Sequence, residues 1–338
     1  MNKTISIILS FCMLFSLVSL AGCGKNTETL KLGFGIHSYI AEAKNAKEDT
    51  VGGGEAEITV AAVLLDKNDK IVKCAIDSIE NPMNFTADGK FEGANDLKSK
   101  YELGDSYGMK AYGGAKKEWY EQVDAFVSVA QGKSLTEIKA LKGEDKKGTE
   151  TVVNAGCTIE ISDFVLAIEK AVNNSESSSA KADDTLKLGI VSNQTSNSSD
   201  ASQEAEGVNE FETTVAAVAL GEKGEITAAA VDSVVTNLKF DTKGSVTSRY
   251  GVVIETKKDA GNTYGMSQNG SDKNGDGKVL EWYEQANVFA ASLVNKNAKE
   301  LTSLQSDDGY GDENLQKAGC TIKVDDMVKA AVKAATEK

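Results

Sequence analysis

Two runs rich in β-branched and apolar residues, Ile58 to Leu65 and Ile71 to Ile79, flank the tetrapeptide Asp66-Lys-Asn-Asp69. Branched side chains favour a pleated strand and Asp/Asn favour a turn, so the pattern predicts an antiparallel hairpin. The period then changes. After Trp119, the apolar positions Val123, Phe126, Val127 and Ala130 recur at helical spacing and predict a helix with one buried stripe, opened by a core tryptophan. Ser134-Leu-Thr-Glu137 has the form of a capping box, in which hydroxyl and carboxylate satisfy opposing backbone donors at a second short helix. Farther on, Thr158 to Ile161 predicts a short strand and Ser162 a cap. Phe164, Ile168 and Val172 predict the apolar face of a closing helix.

The succession then repeats. Thr29-Leu-Lys-Leu-Gly33 returns as Thr185-Leu-Lys-Leu-Gly189, Val60-Ala-Ala-Val63 as Val215-Ala-Ala-Val218, and Ile76-Asp77-Ser78 as Val231-Asp232-Ser233. Tyr107-Gly-Met109 matches Tyr264-Gly-Met266, Glu118-Trp-Tyr-Glu-Gln122 matches Glu281-Trp-Tyr-Glu-Gln285, and Ala155-Gly-Cys-Thr-Ile159 matches Ala318-Gly-Cys-Thr-Ile322. Agreement in order through chemically different segments marks a tandem duplication. Each copy, 29–173 and 185–338, is expected to be a small α+β domain, an antiparallel sheet with packed helices, folding on its own. Residues 174–184, dominated by Ser, Asn and Asp, are expected to form a solvated linker, and Ser192 to Gly207 a loop of little structural weight.

The first residues carry a different pattern. Lys3 precedes an apolar stretch from Ile5 to Leu20 that closes on Leu20-Ala21-Gly22-Cys23, as in a lipoprotein signal peptide over residues 1–22. Cys23 is therefore expected to carry the lipid anchor, palmitate included, with 23–28 as a tether. Each buried methylene contributes about 0.8 kcal/mol, so two acyl chains hold where one is marginal. No later stretch is apolar and long enough to span a bilayer, and the chain is expected at the cell membrane on its extracytoplasmic side.

Composition narrows the partners. A formal net charge of -14 over 338 residues argues against nucleic acid and against attraction to anionic headgroups, which leaves the lipid as the membrane contact. With Cys12 in the signal and Cys23 as anchor, the remaining Cys74, Cys157 and Cys320 are odd in number and lack a C-x-x-C pair. Neither a disulfide framework nor a structural zinc site is indicated. A single histidine, His37, excludes a Ser-His-Asp relay in both copies and any multi-histidine metal centre.

The order of hairpin, Asp-Ser strand, Tyr-Gly-Met loop, Trp-Tyr helix, Gly-Cys-Thr segment and closing helix resembles FMN-binding domain proteins of bacterial envelopes, particularly extracellular lipoproteins with tandem copies. The likeness covers nearly all of both copies. It implies that a flavin phosphate can be esterified to the last threonine of a D-x-x-[S/T]-G-A-[S/T] motif by an exported flavin transferase. Gly156-Cys157-Thr158 and Gly319-Cys320-Thr321 stand at its G-A-T, which makes Gly156, Thr158, Gly319 and Thr321 the cofactor-binding candidates. Val152 and Leu315 replace the aspartate, and Ala155 and Ala318 the following hydroxyl, so covalent attachment is expected to be absent or inefficient. Tyr107-Gly108-Met109 is a candidate to rim a flavin or to form a plain turn, and Cys157 and Cys320 are expected to be small buried hydrophobes.

One feature belongs to the second copy alone. Asp272, Asn274 and Asp276 alternate as in the start of a calcium loop, with Tyr283 in place of the closing carboxylate, against the reading of a simple Asn/Gly/Asp turn. No nucleophile with its base and no paired acids in a defined motif are legible, so the chain is expected not to be an enzyme. The expected role is a non-catalytic module that binds a small ligand or an envelope protein, with a flavin-carrying electron-transfer lipoprotein as the alternative. Cys23→Ala is expected to shift the chain from the membrane fraction to the soluble extracytoplasmic fraction. Equal membrane retention on fractionation would contradict the anchor.

Overall fold

A computed structural model describes residues 28–269 and 279–336, so the signal sequence, Cys23 and the calcium candidates Asp272, Asn274 and Asp276 lie outside the described residues. The first copy opens with a meander of β1 (Lys31–Lys44), β2 (Gly52–Leu65) and β3 (Ile71–Phe85), followed by α1 (Lys100–Leu103), α2 (Trp119–Ala130), α3 (Leu135–Lys139), α4 (Glu150–Ala155) and α5 (Ser162–Asn173). A two-residue strand, β4 (Glu176–Ser177), leads to the second meander, β5 (Thr185–Gln194), β6 (Gly207–Leu220) and β7 (Ile226–Phe240). There follow α6 (Lys257–Ala260), α7 (Met266–Asn269), α8 (Trp282–Leu293), α9 (Ala298–Leu301), α10 (Glu313–Lys317) and α11 (Asp325–Thr336). The protein is mixed α+β, with strand orders β3-β2-β1-β4 and β5-β6-β7, each antiparallel.

The apolar runs are continuous because both sheet faces are covered. Along β2, Ala61, Val63 and Leu65 pack under α2 and α5, while Ile58, Val60, Ala62 and Leu64 point the other way, as the period of two requires. The second set meets Leu186, Ile190, Val215, Ala217, Ala219 and Val234 of the second sheet. The layers therefore run helix, sheet, sheet, helix, with β1 over β7 and β3 over β5 about a local two-fold. Phe85 and Phe240 stack across that axis, with ring centroids 4.3 Å apart and planes 5° from parallel. Polar groups at the seam are satisfied across it. Asn81 Nδ2 donates to Thr213 Oγ1 at 3.0 Å, and Ser192 Oγ donates to Asn81 Oδ1 at 2.9 Å.

Several expectations differ from the structure. The copies do not close separate cores, because each sheet has two apolar faces and its own helices cover only one. The segment 174–184 is not a solvated linker: β4 pairs with the start of β1, Leu30 N donates to Ala180 O at 2.8 Å, and Ala180 and Asp184 are buried. Nor is Ser192 to Gly207 idle, since β5 continues to Gln194 and Ala201 N donates to Gly89 O of the other copy at 2.7 Å. Thr158 to Ile161 makes a lone bridge, Lys147 to Glu160, instead of a strand. Ser162 is the first residue of α5 and does not cap it.

The repeat also has a hidden offset. Thr29-Leu-Lys-Leu-Gly33 matches Thr185 to Gly189 in sequence, yet Gly35 pairs with Ala61 where Gly189 pairs with Ala216, so the structural equivalent of Gly189 is Gly35. A Cβ on Gly35 would lie 2.5 Å from Ala167 O of α5, and one on Gly189 would lie 2.1 Å from Ala330 O of α11. At both places the closing helix rests its backbone on the strand.

Phe240→Ala is expected to lower stability by about 3–5 kcal/mol, the usual cost of truncating a buried phenylalanine. Because Phe240, on β7, packs on Phe85, on β3, amide exchange should accelerate in β3 as well as β7. Acceleration confined to the second copy would show that the cores are independent.

Candidate functional site

The segments matched between copies converge at the start of α2, and again at the start of α8. Glu118 is buried as the N-cap of α2, where its carboxylate accepts from Met109 N at 2.8 Å and Lys110 N at 3.1 Å. This anchors the Tyr-Gly-Met loop on the helix. Glu281 repeats the arrangement with Met266 N at 2.9 Å and Ser267 N at 3.1 Å, and the Ser267 hydroxyl holds its carboxyl below the usual range.

One turn into the helix, Gln122 is buried and donates through Nε2 to Lys117 O at 3.2 Å. Its Oε1 accepts twice from Thr158, from the backbone N at 2.8 Å and from Oγ1 at 2.9 Å. Gln285 does the same for Thr321, at 2.7 Å and 3.1 Å, while donating to Leu280 O. Both candidate threonines thus sit on a fixed amide. Gly156, which ends α4, and Gly319 share φ 108, a backbone setting that favours glycine.

What covers those glycines differs. A Cβ on Gly156 would lie 2.2 Å from Lys117 Nζ, whereas one on Gly319 would lie 2.8 Å from Leu280 Cδ1. The first copy places an ammonium beside an exposed threonine, and the second places a methyl group beside a half-buried one. Cys157 and Cys320 are buried beneath, where burial pushes their thiols up to about 11 and about 12. They are inert core residues at neutral pH.

The tyrosine of each Tyr-Gly-Met loop has a partner that sequence reasoning missed. Lys100 Nζ lies 5.2 Å from the Tyr107 ring centroid and 5.8 Å from that of Trp119, and it pairs with Glu80. Lys257 lies 5.7 Å from Tyr264 and 5.4 Å from Trp282, and it pairs with Glu212 at 2.5 Å. The two lysines follow Ser99 and Thr256, which cap α1 and α6. Those capped turns hang from the Asp-Ser match: Asp77 Oδ1 accepts from Ser78 N and Tyr101 N, and Asp232 Oδ1 from Ser233 N and Lys258 N. Burial pushes the two carboxyls up to about 7 and about 6. Recurrence in both copies was the available signal for Asp77 and Asp232 and for Lys100 and Lys257, whereas the lysines' acidic partners, Glu80 and Glu212, do not occupy matching positions.

Near the start of α5 the first copy places a tyrosine and the histidine on an aspartate, where the second copy has Asn193 Nδ2 donating to Asp326 Oδ2 at 2.9 Å near the start of α11. Tyr39 Oη donates to Asp163 Oδ2 at 2.8 Å, and His37 Nε2 lies 3.8 Å from Asp163 Oδ1. Burial holds the imidazole below its usual value against the pull of Asp163. Among the described residues, no group of three or more His, Cys, Asp or Glu could hold a metal, and no helix is long and apolar enough to cross a membrane.

Against known proteins, no family model and no solved structure matches the chain. A curated relative does: chlorophenol reductase of Desulfitobacterium hafniense is 31% identical over 121 residues, which is 31% of this chain and 37% of the relative. The chain therefore spans little more than a third of that protein's length. The match corrects one expectation, since a relative named as a reductase overturns the reading of the chain as no enzyme. That reading rested on missing acid-base and nucleophile motifs, which redox chemistry on a bound cofactor does not require.

Asp77 and Asp232 keep their protons to higher pH in the folded chain than in the unfolded one, where aspartate ionises near about 3.9. The folded state then binds more protons between about pH 4 and about 7, so their contribution to stability is full below that window and is lost as pH rises through it. Asp77→Asn keeps the acceptor for Ser78 and Tyr101 and should flatten the fall in unfolding free energy between pH 5 and pH 8, read by urea titration against the parent. An unaltered slope would contradict the assignment.

Proposed function

We propose that the chain is an exported lipoprotein, anchored through Cys23, whose two copies are FMN-binding-like domains serving a reductive reaction outside the cytoplasm. The observation that carries this reading is the doubly built Gln-Thr-Gly arrangement, in which one buried amide fixes both the backbone and the hydroxyl of the candidate threonine.

The residues of the first copy fit a flavin phosphate. Thr158 is exposed, and the absence of a side chain on Gly156 makes room for Lys117, whose ammonium supplies a cation there. Gln122 orients the threonine, and if the hydroxyl is engaged elsewhere the backbone N–H keeps that acceptor satisfied. Bound flavin would supply one- and two-electron transfer. Lys100, held between Tyr107 and Trp119, stiffens the adjoining loop and keeps a positive charge under it. The relative's name adds the reductive direction and a chlorinated phenol as a substrate class to test.

Protein purified from its native host is expected to show flavin absorbance that Thr158→Ala removes and Thr321→Ala leaves largely in place. Intact mass after co-expression with an exported flavin transferase separates covalent from reversible binding. A colourless parent protein with no flavin mass would overturn the reading.

A further inference from the structure

A second site lies away from the threonines, where the edge strand β3 meets the edge strand β5. The two edges and α2 leave a cleft of about 450 Å³, within the size class of small-molecule sites. Its floor is apolar: Ala75 and Val123, Val127, Leu186 and Leu188 line it from both copies. Polar side chains line its walls, and among them Tyr101 Oη donates to Asp124 Oδ1 at 2.7 Å. Tyr101 is held edge-on by Tyr120, with ring centroids 5.9 Å apart.

We propose that this cleft binds a small uncharged aromatic alcohol, with the ring on the apolar floor and the hydroxyl donating to Asp124. The phenol of Tyr101 occupies one carboxylate oxygen and leaves Oδ2 to accept a second hydroxyl of the same kind. The remaining charges favour a neutral ligand. Three carboxylates on the lining, Asp77, Glu102 and Asp124, stand against Lys98 and Lys187, with Lys333 paired to Glu102 at 2.6 Å, so the formal charges of the wall cancel. A strong cation or anion would find no surplus of the opposite sign.

The local two-fold provides an internal comparison. A cleft of about 720 Å³ lies at the related position beside β7 and β1, and it keeps Asp232 where the first has Asp77. It carries Lys258 and Asn287 in place of Tyr101 and Asp124, joined at 2.7 Å, and Ala229 in place of Cys74. The aspartate that holds the capped turn is common to both, while the residues facing the space have changed together. A packing gap inherited from the frame would not single out the Tyr-Asp pair.

The test uses the mature full-length chain and titrates phenol, 2-naphthol and benzoate by calorimetry. Saturable binding of phenol and 2-naphthol with one site per chain, and none of benzoate, is expected. Asp124→Asn keeps an acceptor for Tyr101 and replaces the free oxygen by a donor, and it should weaken binding about tenfold or more, the scale of one lost hydrogen bond. Val127→Trp should abolish binding by filling the cleft, and Asn287→Asp should leave it unchanged. If Val127→Trp fails to fold, as read by its thermal transition, Asp124→Asn decides. Absence of saturable binding to the parent, or binding indifferent to Asp124→Asn, would overturn the proposal. Thr158→Ala leaves this cleft intact, so loss of flavin and loss of the aromatic alcohol are separate results.

Discussion

Two three-stranded meanders, each apolar on both faces, are buried against one another. One face of each sheet is covered by the copy's own helices, and the other would lie open to water if the second sheet were absent. Burial of apolar area contributes about 25 cal/mol per Å², so a whole sheet face outweighs any single contact elsewhere in the molecule. The seam also fixes geometry. Stacked Phe85 and Phe240 and the buried bonds of Asn81 with Thr213 and Ser192 permit only one registration of the sheets. From that registration follow the placement of the two clefts and the separation of the two threonine sites on opposite outer layers.

Duplication divides the residues into a shared frame and a variable surface. The frame comprises the aspartates that hold the capped turns, the lysines between tyrosine and tryptophan, the capping glutamates and the glutamines that accept from the threonines. These positions are internally satisfied, and a change at any of them strands a buried partner. The variable positions lie where solvent or a ligand can reach: Lys117 against Leu280, Tyr101 against Lys258, Asp124 against Asn287. Chemistry diverges where the frame tolerates it.

Much of the fold was legible from period. The hairpins, the helices at Trp119 and Trp282 and the capping box at Ser134 all occur as their spacing dictates. Failures came where backbone contacts override composition. The polar segment 174–184 looks solvated by its side chains, yet β4 docks through main-chain bonds that any residue can make. The Thr-Leu-Lys-Leu-Gly match misled by two residues because a strand shifted by one full period keeps every side chain on its proper face. The unbroken apolar run of β2 indicated two covered faces without saying that the second cover is the other copy. At the candidate site, the two threonines stood out through their repeated Gly-Cys-Thr segments. Gln122, Lys100 and Asp77 did not, since a polar residue in a repeated string does not disclose which distant atom it satisfies.

The local two-fold has a consequence for how such a chain is assembled. An interface that brings β1 over β7 and β3 over β5 is isologous: each half offers the same patch to the other, as in a symmetric homodimer. The tandem chain is the covalent form of that dimer. Residues 174–184 hold the partner at a fixed, high effective concentration, so association no longer depends on protein concentration. Covalent fusion also removes a constraint that identical subunits obey. In a homodimer every substitution appears at both related sites at once, whereas here an ammonium at Lys117 coexists with a methyl at Leu280, and one molecule presents two chemically distinct ends.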